Sequence, residues 1–325
     1  MEYSVVIRTL GTAGEKYDRL INSIREQSCQ PIEIIVVLPK GYIINKVFGD
    51  EKIIYSEKGM VNQRAAGINE AKSEYLLIVD DDICFNSSFV DDIIKCYEKT
   101  KADVIVPSYN TFGQNSTVLK SIILNFKYAF IGQRFLMFGS KYRVKYAPTG
   151  GHFINLNIKE DRFYLTESWN GACFFLKNDL AKRVKFEQEN WLGYVGYEIF
   201  EDMVFSNKCY GLGIKAVYAP MIKYVHLDGG TAQQKQITNE KRIAKKLYGN
   251  TFNRTVYWYK FLFLKSSMLR KIWLIFWYMY SILNTFSLYL IYALPRFSYW
   301  KTPFNVFKAA FDALNFCKKN KLDWI

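Results

Sequence analysis

The sequence lacks the cysteine spacing that would indicate a zinc centre or a disulfide framework. Its 325 residues include six cysteines, and no two of them form a CxxC pair. We therefore expect reduced, mostly structural thiols in a cytosolic protein. No signal peptide is predicted, because the sequence opens directly on the apolar strand pattern Tyr3–Ile7. Internal repeats and low-complexity segments are also missing, which excludes repeat architectures.

Acidic residues are scarce in the C-terminal third. Residues 228–325 contain 16 lysines and arginines against 4 aspartates and glutamates, a net charge of +12 within a total of +14. Nucleic acid explains this charge poorly, because apolar residues interrupt the basic stretch and no nucleic-acid motif is present. Anionic lipid headgroups fit the pattern better. We therefore expect a membrane partner and no nucleic acid.

One long stretch, Ile272–Pro295, contains no charged residue. Roughly 22 helical residues would reach about 33 Å, enough to cross the hydrocarbon core of a bilayer. Tryptophans and tyrosines near both ends resemble interfacial belts, whereas the amide of Asn284 would be costly in lipid. The sequence predicts membrane contact through residues of about 268–300. It leaves open whether this helix spans the bilayer, lies in its interface or belongs to a buried pair.

The first hundred residues alternate between strand and helix patterns. Continuous apolar runs are separated by amphipathic helices such as Glu15–Gln27. This arrangement is typical of a mainly parallel sheet covered by helices on both faces. We predict an α/β domain over residues 1–227 and a basic, aromatic helical region over 228–325. The apolar and cationic stretch Val118–Phe138 predicts a further helix, either in the core or at a membrane surface.

Three consecutive aspartates, Asp80, Asp81 and Asp82, follow the apolar run Tyr75–Val79. Ligands of parallel sheets bind beyond the carboxyl ends of the strands, where these carboxylates fall. Adjacent carboxylates repel one another unless a cation lies among them. Oxygen ligands suit Mg²⁺ or Mn²⁺, which can bridge to a diphosphate. The alternative is a solvated acidic turn before a helix that begins near Asn86.

Further motifs occur in a characteristic order along the chain. They are SVVIRTLG at Ser4–Gly11, PIEIIVV at Pro31–Val37, KGMVNQRAAGINEAKSEYLLIVDDD at Lys58–Asp82, WNGACFFLKND at Trp169–Asp179 and YEIFEDMVFSNKCYGLGIK at Tyr197–Lys215. Over residues 3–226 the chain thereby resembles the inverting nucleotide-sugar glycosyltransferases of family 2, which have the GT-A fold. The resemblance implies a nucleotide-sugar half over about 1–107 and an acceptor half over about 108–227.

The resemblance also implies roles for the acidic residues. Asp80 and Asp82 match the DxD motif, so Asp80 would contact the ribose or donor sugar and Asp82 would coordinate a divalent cation. Glu201 and Asp202 match a Glu-Asp pair in which the aspartate is the general base. A carboxylate beside a second one should have a raised pKa, which suits deprotonation of an acceptor hydroxyl. The alternative is a solvated acidic pair on a helix.

Other candidates come from the same family pattern. The candidates for nucleotide contact are Arg8, Thr9, Lys58, Arg64, Asp80 and Asp81. The candidates for the metal shell are Asp80, Asp82 and His226, and those for the acceptor pocket are His152, Trp169 and Trp191. Solvated surface is the alternative for the lysine and for Arg64, and a structural core position is the alternative for the histidines and tryptophans. Asp81 is otherwise a spectator.

Two segments depart from the family pattern. Arg8 stands where proline is common. Leu38-Pro39-Lys40 replaces the acidic stretch that normally follows the second strand and helps to hold the base. Recognition of uracil, and the identity of the nucleotide, therefore stay open.

Together these features predict a metal-dependent inverting glycosyltransferase of bacterial polysaccharide type. It would transfer a sugar from a nucleotide diphosphate donor to a lipid-linked or polysaccharide acceptor at the cytoplasmic face of the cell membrane. One alternative is a non-catalytic nucleotide-sugar-binding scaffold, which would not need the Glu-Asp pair. Another is a nucleotidyltransferase, for which Gly11–Gly14 is a sparse glycine loop. The donor, the acceptor linkage and the oligomeric state, including a homo-oligomer, stay undetermined.

Overall fold

The computed structural model describes residues 1–44, 46–111, 118–196, 199–227, 239–295 and 299–321, and twelve strands among them form one mixed sheet. The strands are β1 Tyr3–Arg8, β2 Glu33–Pro39, β3 Glu51–Ser56, β4 Tyr75–Asp80, β5 Ile83–Cys84, β6 Val104–Thr111, β7 Arg134–Met137, β8 Tyr142–Tyr146, β9 His152–Asn155, β10 Tyr164–Thr166, β11 Cys173–Lys177 and β12 Ala216–His226. Their order in the sheet is β3-β2-β1-β4-β11-β6-β12-β10-β8-β9-β7, with β5 paired to β12. The predicted α/β fold is confirmed.

Helices cover this sheet and form the C-terminal region. They are α1 Glu15–Arg25, α2 Met60–Glu70, α3 Phe89–Thr100, α4 Val118–Phe130, α5 Asn178–Arg183, α6 Glu201–Gly211, α7 Asn239–Tyr257, α8 Met268–Ala293 and α9 Asn305–Lys319. A 3₁₀ helix occupies Phe186–Gly193, and a π-helix occupies Trp258–Phe263. All six cysteines are unpaired thiols.

The first four strands of the sheet, β3, β2, β1 and β4, are parallel. Alternate side chains of β1 enter different cores, because successive residues of a strand point to opposite faces. Val6 packs in the cluster that contains Val61 of α2, whereas Val5 packs in the cluster that contains Leu20 of α1. The register pairs the last residue of β1, Arg8, with the last residue of β4, which places two charged side chains together.

Strand β11 lies antiparallel to both β4 and β6. The residue before β11 is hydrogen-bonded to the end of β4, because the backbone N–H of Asp80 donates to the carbonyl oxygen of Ala172 at 2.9 Å. The Trp169–Gly171 segment therefore lies at the carboxyl end of β4. The acceptor half of the chain reaches the same edge of the sheet as the three aspartates.

The structure corrects two predicted elements. The predicted helix Val118–Phe138 ends at Phe130, because Gly132 has a left-handed φ of +69° and the chain then pairs with β9 as strand β7. The sequence pattern also predicts two separate strands, Ile214–Tyr218 and Lys223–His226, but the structure has one strand, β12, with an irregularity between Ala219 and Lys223. The Gly-, Thr- and Gln-rich segment Asp228–Gln234, which predicts a linker, and Tyr197, where the pattern predicts the start of a helix, lie outside the described residues.

The C-terminal region shares a core with the α/β part. Phe252 and Tyr257 of α7 belong to the same buried cluster as Phe205 of α6. A buried ionic contact adds to this junction: Glu189 accepts from Lys208 at 2.7 Å and from Lys260 of the π-helix at 2.9 Å. The division near residue 227 stays a prediction, and the two segments are packed together.

Candidate functional site

The carboxyl ends of β1 and β4 carry a buried ion pair. Arg8 donates through Nε to Oδ1 of Asp80 at 2.6 Å and through Nη2 to Oδ2 at 3.1 Å. Burial opposes ionisation of Asp80, but the adjacent Arg8 guanidinium lowers the pKa of the carboxyl below its usual value. Burial likewise opposes the charge on Arg8, and Asp80 followed by Glu201 raises its pKa. Both groups are therefore charged at neutral pH.

Glu201 joins this pair from the start of α6. Arg8 donates through Nη1 to Oε1 of Glu201 at 2.9 Å. Arg64 of α2 donates to Oε2 of the same carboxylate and to the carbonyl oxygen of Gly171 at 2.9 Å. We call Arg8, Arg64, Asp80 and Glu201 the charge cluster. It brings the aspartate motif and the Glu-Asp pair, which are far apart in sequence, to one place.

Two neutral residues that sequence reasoning missed complete the support of the cluster. A Cβ on Gly171 would lie 2.7 Å from Nη2 of Arg64 and 3.0 Å from Oε1 of Glu201, so this position has no room for a side chain. Gln63 donates through Nε2 to the carbonyl oxygens of Thr9 and Val37, at 2.8 and 2.9 Å. The sequence signals that could have indicated these two residues are the Asn-Gly step before β11, for Gly171, and the glutamine within the motif that forms α2, for Gln63.

Asp202 follows Glu201 in the first turn of α6. Phe200 precedes the pair in a left-handed conformation with φ of +77°, a strained backbone state for a bulky residue. Oδ1 of Asp202 accepts from the N–H of Met203 at 2.8 Å. Burial, and then the charge of Glu201, raise the pKa of Asp202 to about 6. This carboxyl can therefore accept a proton near neutral pH.

Thr9 and Asp81 form the side of the site next to β2. The Thr9 hydroxyl donates to Oδ2 of Asp81, and burial raises the pKa of this carboxyl to about 6. Beside Thr9 lies a cavity of about 170 Å³. Its lining consists of Thr9, Gly11, Ala13, Gly14, Glu15, Tyr17, Asp18, Ile44 and Lys46. The cavity adjoins the site at Thr9 and does not include the charge cluster, so it suits one end of an extended ligand.

Asp82 and His226 meet where β5 pairs with the end of β12. The Leu227 N–H donates to the carbonyl oxygen of Asp82 at 2.8 Å, and Oδ1 of Asp82 lies 3.6 Å from Nε2 of His226. Nδ1 of His226 is buried and has no hydrogen-bond partner among the residues that the structure describes. Burial raises the pKa of Asp82, although His226 opposes this shift.

The predicted three-residue metal set is not assembled. Among the described residues, no group of three His, Cys, Asp or Glu side chains is placed to hold a metal ion. Both oxygens of Asp80 accept from Arg8, so its role as a ligand stays a prediction that requires Arg8 to move. Asp82 and His226 remain the candidate pair.

Two predicted nucleotide contacts have other neighbours in the structure. Arg64 is only 1% exposed and lies beneath Glu201, so the structure places it in support of α6 and not at a nucleotide surface. Lys58 is exposed, and its ammonium donates to the Tyr42 hydroxyl and lies 4.9 Å from the centre of that ring.

The two tryptophans predicted for the acceptor pocket are buried, and His152 is partly buried. Trp169 packs between Phe174 and Phe205, and Trp191 donates through Nε1 to Oε2 of Glu189 at 2.6 Å. Large aromatic rings contribute strongly to the hydrophobic free energy of folding when they are buried. Both tryptophans are core residues, which is the alternative that the sequence left open. His152 lies 3.1 Å from the Ser168 hydroxyl, and burial lowers its pKa to about 4, so the ring is neutral. These positions correct the prediction of an aromatic acceptor platform.

Comparisons with known proteins identify relatives of this arrangement. Residues 4–155 match the family model for glycosyl transferase family 2. Glycosyltransferase GlyA of Streptococcus pneumoniae serotype 4 (strain ATCC BAA-334 / TIGR4) is 25% identical over 218 residues, which are 64% of this chain and 28% of GlyA. The chain thus corresponds to less than a third of that relative.

Solved structures share the fold at low sequence identity. Residues 1–349 of S. aureus TarS superpose with a TM-score of 0.52 at 14% identity, covering 99% of this chain and 83% of TarS. GalNAc-T7, solved with UDP, GalNAc and Mn²⁺, gives a TM-score of 0.48 at 13% identity, covering 92% of this chain and 59% of that one.

Proposed function

We propose that this chain, whose residues 4–155 match the family model for glycosyl transferase family 2, is a metal-dependent, inverting enzyme of that family. It transfers a sugar from a nucleotide diphosphate donor to a lipid-linked or polysaccharide acceptor at the cytoplasmic face of a membrane. The observation that carries the proposal is the bridge made by Arg8, which donates to Asp80 and to Glu201 at once. A carboxylate assigned to the donor side and one assigned to the acceptor side are thereby joined through one guanidinium.

Asp202 is the general base of the proposed reaction. An inverting transfer requires one carboxylate to remove the proton of the acceptor hydroxyl as the new bond forms at C1. Both oxygens of Glu201 already accept from arginines, which hold this side chain in place. Asp202 accepts from the backbone N–H of Met203, and its raised pKa favours protonation. Glu201 acts as a positioning residue for its neighbour.

This assignment predicts how the transfer rate depends on pH. The base must be ionised, and its folded pKa lies above the model-peptide value of 3.8, at about 6. The rate is therefore expected to be fully developed above pH 7 and to fall about tenfold per pH unit below pH 6, as the protonated fraction grows. A pH profile of kcat over pH 4.5–8.5 measures this. A rate that stays constant down to pH 5 contradicts the assignment.

A divalent cation fits the Asp82–His226 pair. Within the described part of the chain, the buried Nδ1 of His226 has no hydrogen-bond partner, and burial disfavours the charge on Asp82. Mg²⁺ and Mn²⁺ are commonly bound by one or two protein groups, with water and substrate phosphates completing the shell. When bound, the cation supplies positive charge that stabilises the departing nucleoside diphosphate. The protein's own contribution is to hold Asp82 at the end of β4, beside Asp80 and Asp81.

Donor binding tests the metal assignment separately from catalysis. We expect UDP, GDP or dTDP to raise the melting temperature of the protein in the presence of Mn²⁺ or Mg²⁺ and to lose most of that effect with EDTA. Asp82→Asn should remove the metal-dependent part of the shift. The exposed Asp161→Asn is the matched control and should retain it. Equal shifts for the wild type and Asp82→Asn contradict ligation by Asp82.

Nucleotide-sugar binding without turnover is the outcome that favours a scaffold. A panel of UDP-, GDP- and dTDP-sugars, offered with membrane-derived glycan acceptors, distinguishes the two functions by release of the nucleoside diphosphate. Binding with no release over the whole panel supports the scaffold, whereas acceptor-dependent release supports the enzyme.

Membrane association is better tested with surface substitutions than by removing the C-terminal region. Removal of the residues after 230 would expose the core around Phe205, so a truncated chain could lose membrane binding through misfolding alone.

A further inference from the structure

Helix α8 has one buried face and one exposed apolar face. The buried face packs Leu274, Tyr278 and Ile282 against Leu247, Trp258 and Val306 of neighbouring elements. The exposed face carries Met268, Leu269, Ile272, Trp273, Phe276 and Leu283. Isolated exposed apolar residues are ordinary, but a contiguous set of this size marks an interaction surface.

Helix α4 adds a second exposed apolar set. Ile123, Leu124, Phe126 and Phe130 all point to solvent, and Phe126 is 75% exposed. Two contacts join this region to α8. A Cβ on Gly132 would lie 2.8 Å from Cβ of Ser281, and the Phe135 ring lies 5.9 Å from Trp277. We call the exposed apolar side chains of α4 and α8 the apolar face.

The charged side chains of the two helices that form the apolar face all have one sign. Neither α4 nor α8 contains an aspartate or glutamate. Lys127 is exposed on α4, and Arg270 is exposed in the first turn of α8, where Lys271 follows it. Apolar side chains bordered by cations complement an anionic bilayer, since acyl chains accept the former and headgroups attract the latter.

The packing of α8 against its neighbours favours one orientation of this helix relative to a bilayer. Its buried face includes Ser281 and Thr285, and it contacts α9, whose Asp312 accepts a hydrogen bond from Tyr248 of α7. A spanning α8 would carry these helices, with lysines such as Lys308, into hydrocarbon, where charged side chains are costly. A helix lying flat keeps the polar helices on the protein side.

We propose that α4 and α8 together form a docking surface for anionic lipid bilayers, with α8 lying in the interface plane and not crossing the membrane. The inference rests on the proposed membrane-face function and names the surface that serves it. Elements α4 and β7 connect this surface to the sheet that carries the charge cluster. The surface therefore holds the active site at a fixed orientation to the lipid.

Co-sedimentation of the full chain with vesicles tests the surface. Vesicles of phosphatidylcholine with phosphatidylglycerol should bind the protein at least tenfold more tightly than phosphatidylcholine alone. Phe126→Glu and Phe276→Glu should each weaken binding about tenfold or more, since each withdraws one aromatic side chain from the bilayer. Tyr55→Glu, at an exposed aromatic residue of β3, is the matched control and should bind normally. Unchanged binding by both α4 and α8 variants, with wild-type melting temperatures, overturns the proposal.

Labelling of the two ends of α8 tests its orientation. In a Cys29→Ser, Cys84→Ser background, Ser267→Cys and Lys301→Cys, which replace exposed polar residues before and after α8, are bound to sealed vesicles and treated outside with a membrane-impermeant maleimide. Both positions should react, as expected for a helix in the interface plane. Protection of one end indicates a span and overturns the proposed orientation.

Vesicle binding and sugar transfer are measured separately. If the wild-type protein binds vesicles but transfers no sugar, the transferase proposal is contradicted and the docking surface is unaffected. Self-association through these side chains, seen by light scattering without vesicle binding, overturns the docking surface and leaves the transferase proposal standing.

Discussion

Replacing Asp202 with asparagine is expected to lower kcat for sugar transfer by about 10²–10⁴-fold, the range that a general base contributes. The amide keeps the size of the side chain but cannot accept the proton of the acceptor hydroxyl. Stability should not suffer. Burial and the neighbouring Glu201 raise the pKa of Asp202 from 3.8 to about 6, so ionising this carboxyl lowers the stability of the folded state; the loss grows between these two pKa values and is complete above pH 6. The neutral amide removes that penalty.

The measurement compares kcat and melting temperature for the wild type, Asp202→Asn and the exposed control Asp161→Asn. Donor binding, followed by thermal shift, should be unchanged in all three, because the proposal assigns Asp202 to the acceptor side. A kcat within threefold of the wild type, with a folded protein, would show that another group removes the proton.

Replacing Arg64 with methionine is expected to lower the free energy of unfolding by about 3–5 kcal/mol, because it removes one partner of a buried ion pair. Arg64 is 1% exposed, and Glu201 is buried beside it. Methionine fills much of the volume but leaves an oxygen of Glu201 and the carbonyl oxygen of Gly171 without their donor. Arg64→Lys should recover only part of the loss, since an ammonium cannot reproduce the planar fork.

An exposed ion pair provides the control for this prediction. Lys40 and Glu57 form a contact of 2.6 Å, with side chains 67% and 72% exposed. Lys40→Met should change the free energy of unfolding by less than about 1 kcal/mol. Urea unfolding measures both variants. Similar small losses for Arg64→Met and Lys40→Met would mean that Glu201 does not depend on its buried partner.

The N-terminal α/β arrangement could be predicted because its elements are long and regular. The run Tyr75–Val79 is a buried strand with no polar residue, and Glu15–Arg25 has one apolar face. Such patterns report burial directly. The place of the three aspartates, at the carboxyl end of β4, follows from the strand that precedes them.

The partners within the charge cluster could not be predicted. Arg8 meets Asp80 through the register of β1 against β4, and it meets Glu201 only because α6 begins at the same edge. A sequence shows which residues are charged, but strand register and helix placement decide which of them pair. The same limit applies to Trp169 and Trp191, because a tryptophan suits a sugar platform and a core equally well.

Strand β7 could not be predicted from the sequence for a different reason. Five of the eight residues 131–138 are apolar, so their composition continues the helical pattern, and Gly132 marks the turn. Short strands such as Arg134–Met137 form through pairing with distant partners, here β9, and have little local signal of their own.

The stereochemistry of transfer tests the central claim most directly. A single displacement, with Asp202 deprotonating the acceptor on the face opposite the departing diphosphate, must invert the configuration at C1 of the sugar. The anomeric proton coupling of the first product, recorded by NMR before mutarotation, reports that configuration. The account predicts an anomer opposite to that of the donor, and a product with the donor's own configuration contradicts it.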